Sequence, residues 1–277
     1  MFGLSLGSNI SNSDRVISPG FHAEDFGTVL SHYTSEPVNV FEDASRTDPA
    51  ESGDTVLGVT DISGNDRHLS VPSASLQRPT WVAGTRNFDS YISLDDAAND
   101  KLFSTNSGGN GYSTTTNGVA VFMVMQLDTI SGNNKPYIFG AEDDNKSFVR
   151  FDQSCTEVDI KTYKAAGDTD TISLSTTPEI DKRLLVIIQI NDADNKAEVS
   201  ICQNSTITRD VASTSYPDAD YKLILGTIGS SGSLGQGNNI DGRIYEFLSY
   251  DGYLGDTSDV SSSANKVARH LMNKYEI

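Results

Sequence analysis

Cysteine is scarce in this chain of 277 residues: Cys155 and Cys202 are the only two, which rules out the dense disulfide framework that stabilises small secreted domains. The two could pair, but in a cytosolic product cysteines in or beside runs that read as strands are expected as buried thiols, and no redox role is assigned to them. Basic side chains are also few, 20 against 38 carboxylates for a formal net charge of −18. A field of that sign repels DNA, RNA and anionic lipid headgroups, so no nucleic-acid or membrane partner is expected. No run of about 18 apolar residues occurs, which excludes a spanning helix. The opening Met1-Phe-Gly-Leu-Ser-Leu-Gly-Ser lacks the basic start and long apolar segment of a secretory signal, and synthesis in a cytosol is the expectation. His22, His32, His68 and His270 have no close metal-ligand spacing, so no zinc site is expected. Internal repeats and coiled-coil heptads are missing too.

What the sequence does contain is a succession of short apolar segments punctuated by Gly, Asn, Asp, Ser and Pro. The runs Val119 to Leu127, Tyr137 to Ala141, Phe148 to Phe151, Glu157 to Tyr163, Thr171 to Leu174, Leu184 to Ile190, Ala197 to Gln203, Ser205 to Val211 and Lys222 to Leu225 read as strands. With only one convincing helix, at the end of the chain, this spacing predicts an all-β antiparallel sandwich rather than alternating βα units. Its active or binding loops are expected at the concave face or the rim. Sandwiches often reach this length as one unit, so residues 21–277 are expected to form one domain. Residues 1–20 are rich in Ser, Asn and Gly with too few apolar residues for a core. They are expected to be a docking arm whose Phe2, Leu4, Leu6 and Ile10 pack on a partner chain. Residues 104–118 and 229–239 are polar, glycine-rich loops; the latter lacks the following helix that a phosphate cradle needs.

The last 38 residues carry the most information. Ile244, Phe247 and Tyr250 lie in a β-branched and aromatic run that predicts a half-buried strand, and Asp251-Gly252 breaks it. After Asp256, expected to cap a helix, and Asp259, expected to complement its dipole, Val260, Ala264, Val267 and Leu271 recur at spacings of four, three and four, which predicts one apolar stripe.

A Gly-x-Ile-x-Glu strand, a Tyr-x-x-x-Leu turn and a final Leu-x-x-Lys-Tyr helix, here Gly242, Ile244, Glu246, Tyr250, Leu254, Leu271, Lys274 and Tyr275, resemble the close of laminin-G-like and related concanavalin-like domains. Upstream, Asp61-Ile-Ser-Gly-Asn-Asp-Arg-His-Leu69, then Arg78-Pro79-Thr80 and Phe88 to Ser93, resemble the early Asp-x-Ser-Gly-Asn turn and Arg-Pro element of the same group. The two matches bracket roughly residues 55–277, and neither motif is catalytic. The resemblance implies a concanavalin-like jelly roll with one short C-terminal helix, of the kind carried by bacteriophage virion proteins.

Concanavalin-like folds include glucanases with a Glu-x-Asp-x-x-Glu strand. Glu157-Val-Asp159-Ile-Lys161-Thr162 begins that way but has Lys161 or Thr162 in place of the third carboxylate, so the general acid is missing. Gly3-Leu-Ser5-Leu-Gly7 matches a nucleophile elbow only as a string, because no strand precedes it. The Asn-x-Ser/Thr triplets at Asn9, Asn145 and Asn204 are read as coincidences of composition. Asp143-Asp144-Asn145, Asp192-Ala-Asp194-Asn195 and Asp218-Ala-Asp220 offer hard oxygen ligands. The resemblance keeps calcium open there, with solvated turns as the plain reading and no cofactor expected. Stacking on pyranose rings would fall to Trp81, Tyr112 and Tyr216, in or beside polar loops, although a Trp directly after a turn is also a common core plug.

The functional expectation is a non-enzymatic virion surface component, a capsid decoration or fibre part. Its arm would bind other virion proteins, with host-surface glycan as a second partner and self-association open. The alternatives are a free carbohydrate-binding module, or a glycoside hydrolase or lyase.

Overall fold

Val119–Leu127 is apolar at every position but Gln126 because both of its faces are covered. A computed structural model describes residues 21–71, 78–95, 100, 102–104, 118–129, 137–141, 148–152, 156–163, 169–175, 178–191, 194, 196–213, 223–225 and 240–277. Its strands are β1 (Thr28–Thr34), β2 (Val40–Phe41), β3 (Gly58–Val59), β4 (Leu69–Ser70), β5 (Thr80–Val82), β6 (Tyr91–Leu94), β7 (Leu102–Ser104), β8 (Val119–Leu127) and β9 (Tyr137–Ala141). They continue as β10 (Phe148–Phe151), β11 (Glu157–Tyr163), β12 (Thr169–Ser175), β13 (Arg183–Asn191), β14 (Lys196–Gln203), β15 (Thr206–Ser213), β16 (Leu223–Leu225) and β17 (Gly242–Asp251), and α1 (Ser263–Tyr275) closes the chain. The nine runs expected between Val119 and Leu225 all form strands, ending within one or two residues of the expected limits.

The strands pair antiparallel in two sheets. The first has the order β15-β14-β13-β8-β17-β6-β5, with β1 also on β17; the second runs β12-β11-β10-β9-β16-β7-β4-β3-β2. Side chains alternate across β8 with period two. Val121, Met123, Met125 and Leu127 face the second sheet with Val186, Ile188, Phe151, Val158 and Ile160. Ala120, Phe122 and Val124 face the other way, under α1, with Leu185, Ile187, Leu248 and Tyr250. Two buried layers on one strand explain its unbroken apolar run.

The end of the chain departs from the sequence reading in two ways. Asp256 does not cap α1: its Oδ1 accepts from Ser258 N and Oγ, and Asp259 does the same for Ser261, so both close turns ahead of the helix. Ser262 is the cap, accepting from Asn265 N. Val260 therefore precedes the helix and is 74% exposed. The stripe that docks is Ala264, Val267, Ala268, Leu271, Met272 and Tyr275.

The Asp-x-Ser-Gly-Asn turn has a structural role. Asp61 Oδ1 accepts from His32 N and Ser63 N, and its Oδ2 from Arg67 N and Ser63 Oγ. Asn65 Nδ2 donates to the carbonyls of Val29 and Leu30. Both residues occupy backbone groups of β1, whose outer edge is thereby closed to pairing with another chain.

Candidate functional site

Three of the residues that carry the C-terminal resemblance, Glu246, Lys274 and Tyr275, meet in a buried joint with His32. Glu246, in β17, is 3% exposed; its Oε1 lies 2.7 Å from His32 Nε2, and its Oε2 accepts from Lys274 Nζ and Tyr275 OH, both at 2.8 Å. Lys274 also reaches Glu36 Oε1 at 3.4 Å. Burial opposes ionisation of Glu246, but the Lys274 ammonium and the His32 hydrogen bond outweigh it and hold the carboxyl well below the usual range. Burial likewise opposes the charge on Lys274, and Glu246 overcomes it, raising the ammonium's pKa. The joint pins the last turn of α1 to the first sheet.

A carboxyl depressed on folding stabilises the protein above its unfolded pKa of about 4.3, and that contribution fades as pH falls. Urea unfolding followed by tryptophan fluorescence should lose stability steadily below about pH 4.5. Glu246→Gln should be less stable at neutral pH and show a flatter acid limb; an unchanged limb would remove Glu246 from the account.

Of the three rings expected to stack on sugar, Trp81 must be reassigned. It sits in β5, 4% exposed, with its indole Nε1 donating to the carbonyl of Ser35 at 2.9 Å. A ring enclosed on both faces has none to offer a pyranose. Tyr112, Tyr216, the arm residues Phe2, Leu4, Leu6 and Ile10, the Gly3-x-Ser5-x-Gly7 string, Cys155, Asp143, Asp144, Asp192, Asp218 and Asp220 lie outside the described residues. Cys202 is a buried free thiol whose pKa burial pushes up to about 12. Among the described residues, no group of three or more His, Cys, Asp or Glu is placed to hold a metal ion.

The Glu157-x-Asp159 start of a glucanase-like motif falls on β11, where Asp159 is already engaged. Its Oδ2 lies 3.0 Å from both Nε and Nη2 of Arg150, and its Oδ1 accepts from Ser173 Oγ at 2.7 Å. This row joins β10, β11 and β12 through the register Arg150–Asp159–Ser173. A carboxylate clamped by a guanidinium and a hydroxyl suits neither nucleophilic attack nor proton donation.

Strand register brings the termini flanking several polar connections to one end of the sandwich. In the first sheet Val119 pairs with Ile190 and Asp251, Asn191 with Lys196, and Lys196 with Ser213. In the second, Phe148 pairs with Gly140 and Lys161, Leu223 with Ala141, and Ile224 with Phe103. Segments 105–117 and 214–222, which contain Tyr112 and Tyr216, are each joined to the fold at this end, as are 142–147 and 192–195 with their paired acids. Gly118 is required here: its φ is +93°, and a Cβ would lie 1.9 Å from the carbonyl oxygen of Ile190.

Beside this end the segment Tyr253–Thr257 crosses the first sheet over a buried carboxylate that sequence reasoning missed. Glu198 is 1% exposed; its Oε1 accepts from Thr257 N at 3.1 Å and from Thr257 Oγ1, and its Oε2 from Tyr253 OH at 3.1 Å. Arg209 Nε stands 3.2 Å from Glu198 Oε1, and its Nη2 stands 2.7 Å from Asp256 Oδ2. Gln189 ties down the same segment, accepting from Leu254 N and donating to the carbonyl of Gly255. In sequence Glu198 alternates with Ala197 and Val199 as a solvent-facing strand residue would, so no local signal marks it. The cluster is a rigid floor, its carboxylates occupied by donors.

No protein-family model and no curated protein sequence matches this chain. Solved structures do. Domain 4 of AbnA, a GH43 extracellular arabinanase from Geobacillus stearothermophilus in complex with arabinotriose, is 10% identical at a TM-score of 0.50, covering 82% of this chain and 93% of that one. The binding domain of botulinum neurotoxin serotype D/C is 12% identical at a TM-score of 0.57, covering 90% of this chain and 53% of that one. The binding domain of botulinum neurotoxin DC in complex with SialylT is 13% identical at a TM-score of 0.53, covering 86% of this chain and 52% of that one. The chain thus spans about half the length of the toxin binding domains it matches. At these identities the likeness concerns the fold, an antiparallel β-sandwich shared with binding domains.

Proposed function

We propose that this protein is a non-catalytic glycan-recognising β-sandwich, displayed on a virus particle through residues 1–20. The observation that carries the glycan half is the convergence, at one end of a lectin-like sandwich, of the strand termini that flank Tyr112 and Tyr216. Likeness to a domain bound to arabinotriose and to a toxin binding domain bound to SialylT supports it. Aromatic rings beside Asp and Asn side chains are what a neutral sugar needs, one face stacked and its hydroxyls bonded. The occupied carboxylates Asp159, Glu198 and Glu246 support a binding role over hydrolysis. The display half rests on the arm's composition, a net charge of −18 suited to a solvent-facing module, and the resemblance to modules of virion proteins.

Calorimetric titration against arabinotriose and a panel of bacterial surface oligosaccharides should find saturable binding, lost in Tyr112→Ala or Tyr216→Ala without loss of thermal stability. Binding that survives both substitutions would move the site elsewhere, and cleavage of any sugar would overturn the non-catalytic reading. For the display half, a chain lacking residues 1–20 should remain folded and bind sugar but fail to join particles; incorporation of the truncated chain would refute the arm.

A further inference from the structure

The closing helix carries the wrong charge for this protein. Against 38 acidic and 20 basic residues overall, the 13 residues of α1 include Lys266, Arg269, His270 and Lys274 and no carboxylate at all. Lys274 points inward to Glu246, whereas Lys266, Arg269 and Asn273 form the exposed outer face. Their spacing of three and four puts them on one stripe. An exposed helix in an acidic protein commonly pairs its lysines with glutamates one turn away. Here no such partner exists on the helix, and among the described residues neither Lys266 nor Arg269 has an ion pair. The nearby Asp259 carboxylate accepts from Ser261 N and Oγ through Oδ1 and feels the Lys266 ammonium without forming an ion pair with it, so it offsets only the N-terminal end of the stripe.

A second observation points to the same face. Phe21 stacks on the imidazole of His270, ring centroids 3.6 Å apart and planes 3° apart, and on Phe26 at 5.2 Å. Residues 1–20 are therefore joined to the domain at the flank of α1. We infer that the outer face of α1 is a docking surface for an acidic protein partner, laid against that partner where the arm begins. The inference rests on the display half of the proposed function. Charges further away than about 10 Å are screened at 0.1 M salt, so the local cationic stripe, rather than the net negative charge, governs a surface in contact with α1. The face lies on the first sheet's outer side, away from the second sheet and its Arg150–Asp159–Ser173 row.

The experiment uses the full chain and a fluorescent oligoglutamate peptide, with fluorescence anisotropy at low and at roughly 0.3 M salt, where screening is strong. Wild-type protein should bind the peptide at low salt and release it at high salt. The double substitution Lys266→Glu/Arg269→Glu, confined to exposed positions, should weaken binding about tenfold while leaving thermal unfolding unchanged. No binding by wild type, or equal binding by the variant, would overturn the inference. Tighter binding to duplex DNA or phosphatidylserine vesicles than to the peptide, through the same two residues, would overturn the choice of a protein partner. Peptide binding together with particle incorporation of the arm-deleted chain would refute the arm but keep the helix face as the docking surface.

Discussion

Replacing Lys274 with methionine should lower the free energy of unfolding by about 3–5 kcal/mol, the size expected when one member of a buried ion pair is removed. Lys274 and Glu246 have side chains 8% and 3% exposed. Without the ammonium, the carboxylate of Glu246 stays in a site built from Tyr275, His32 and the underside of α1 and must either remain ionised without its counter-charge or take up a proton. The double variant Glu246→Met/Lys274→Met should recover much of the loss, because an apolar pair of similar volume often replaces a buried salt bridge at little cost. Denaturant unfolding of the three variants checks this. A Lys274→Met protein as stable as wild type would mean that the joint does not hold the helix to the sheet.

Trp81→Ala should be comparably damaging, about 3–5 kcal/mol for emptying a packed tryptophan site, with an added penalty because the Ser35 carbonyl loses its indole donor. Trp81→Phe should retain most of the packing and lose chiefly the hydrogen bond. Since Trp81 is the sole tryptophan, wild-type emission should be that of a shielded indole and resist quenching by iodide. Sugar binding should be unchanged in Trp81→Phe. A solvent-like emission spectrum, or loss of sugar affinity in Trp81→Phe with stability intact, would return Trp81 to the binding face.

Much of the fold is legible in the sequence because β-strands announce themselves locally. From Val119 to Leu225 each apolar run is bracketed by turn residues, and the structure moves the ends by a residue or two. The N-terminal third is harder to read. β2 to β5 are two or three residues long, and β1 buries Ser31 against Ser249 Oγ at 2.7 Å, so its pattern alternates poorly. The start of α1 is not legible in the sequence because Asp256, Asp259 and Ser262 are all competent caps, and only tertiary contact selects Ser262. Val260 matches the stripe by spacing alone for the same reason, although it lies ahead of the helix.

The candidate site was less legible than the fold. Glu198, Arg209 and Gln189 acquire their roles from a segment that crosses the sheet after β17, far away in sequence (55 residues for Glu198 and Tyr253, 65 for Gln189 and Leu254), a relation no local pattern encodes. The paired acids and the two tyrosines read as scattered loop residues in the sequence. Register alone gathers the strand ends that flank them. Trp81 illustrates the opposite limit, since a lone aromatic after a turn serves equally as a core plug or a sugar platform until its surroundings are known.

The most direct measurement is a backbone-amide NMR titration of the full chain with arabinotriose, or with the tightest sugar from the panel. Saturable shifts centred on Gly118, Asn191, Asp194 and Ser213, at the end where the polar connections converge, are the predicted result. Shifts confined to α1 or to the turn at Asp61, or release of a shortened sugar during the titration, would contradict a non-catalytic glycan site at that end.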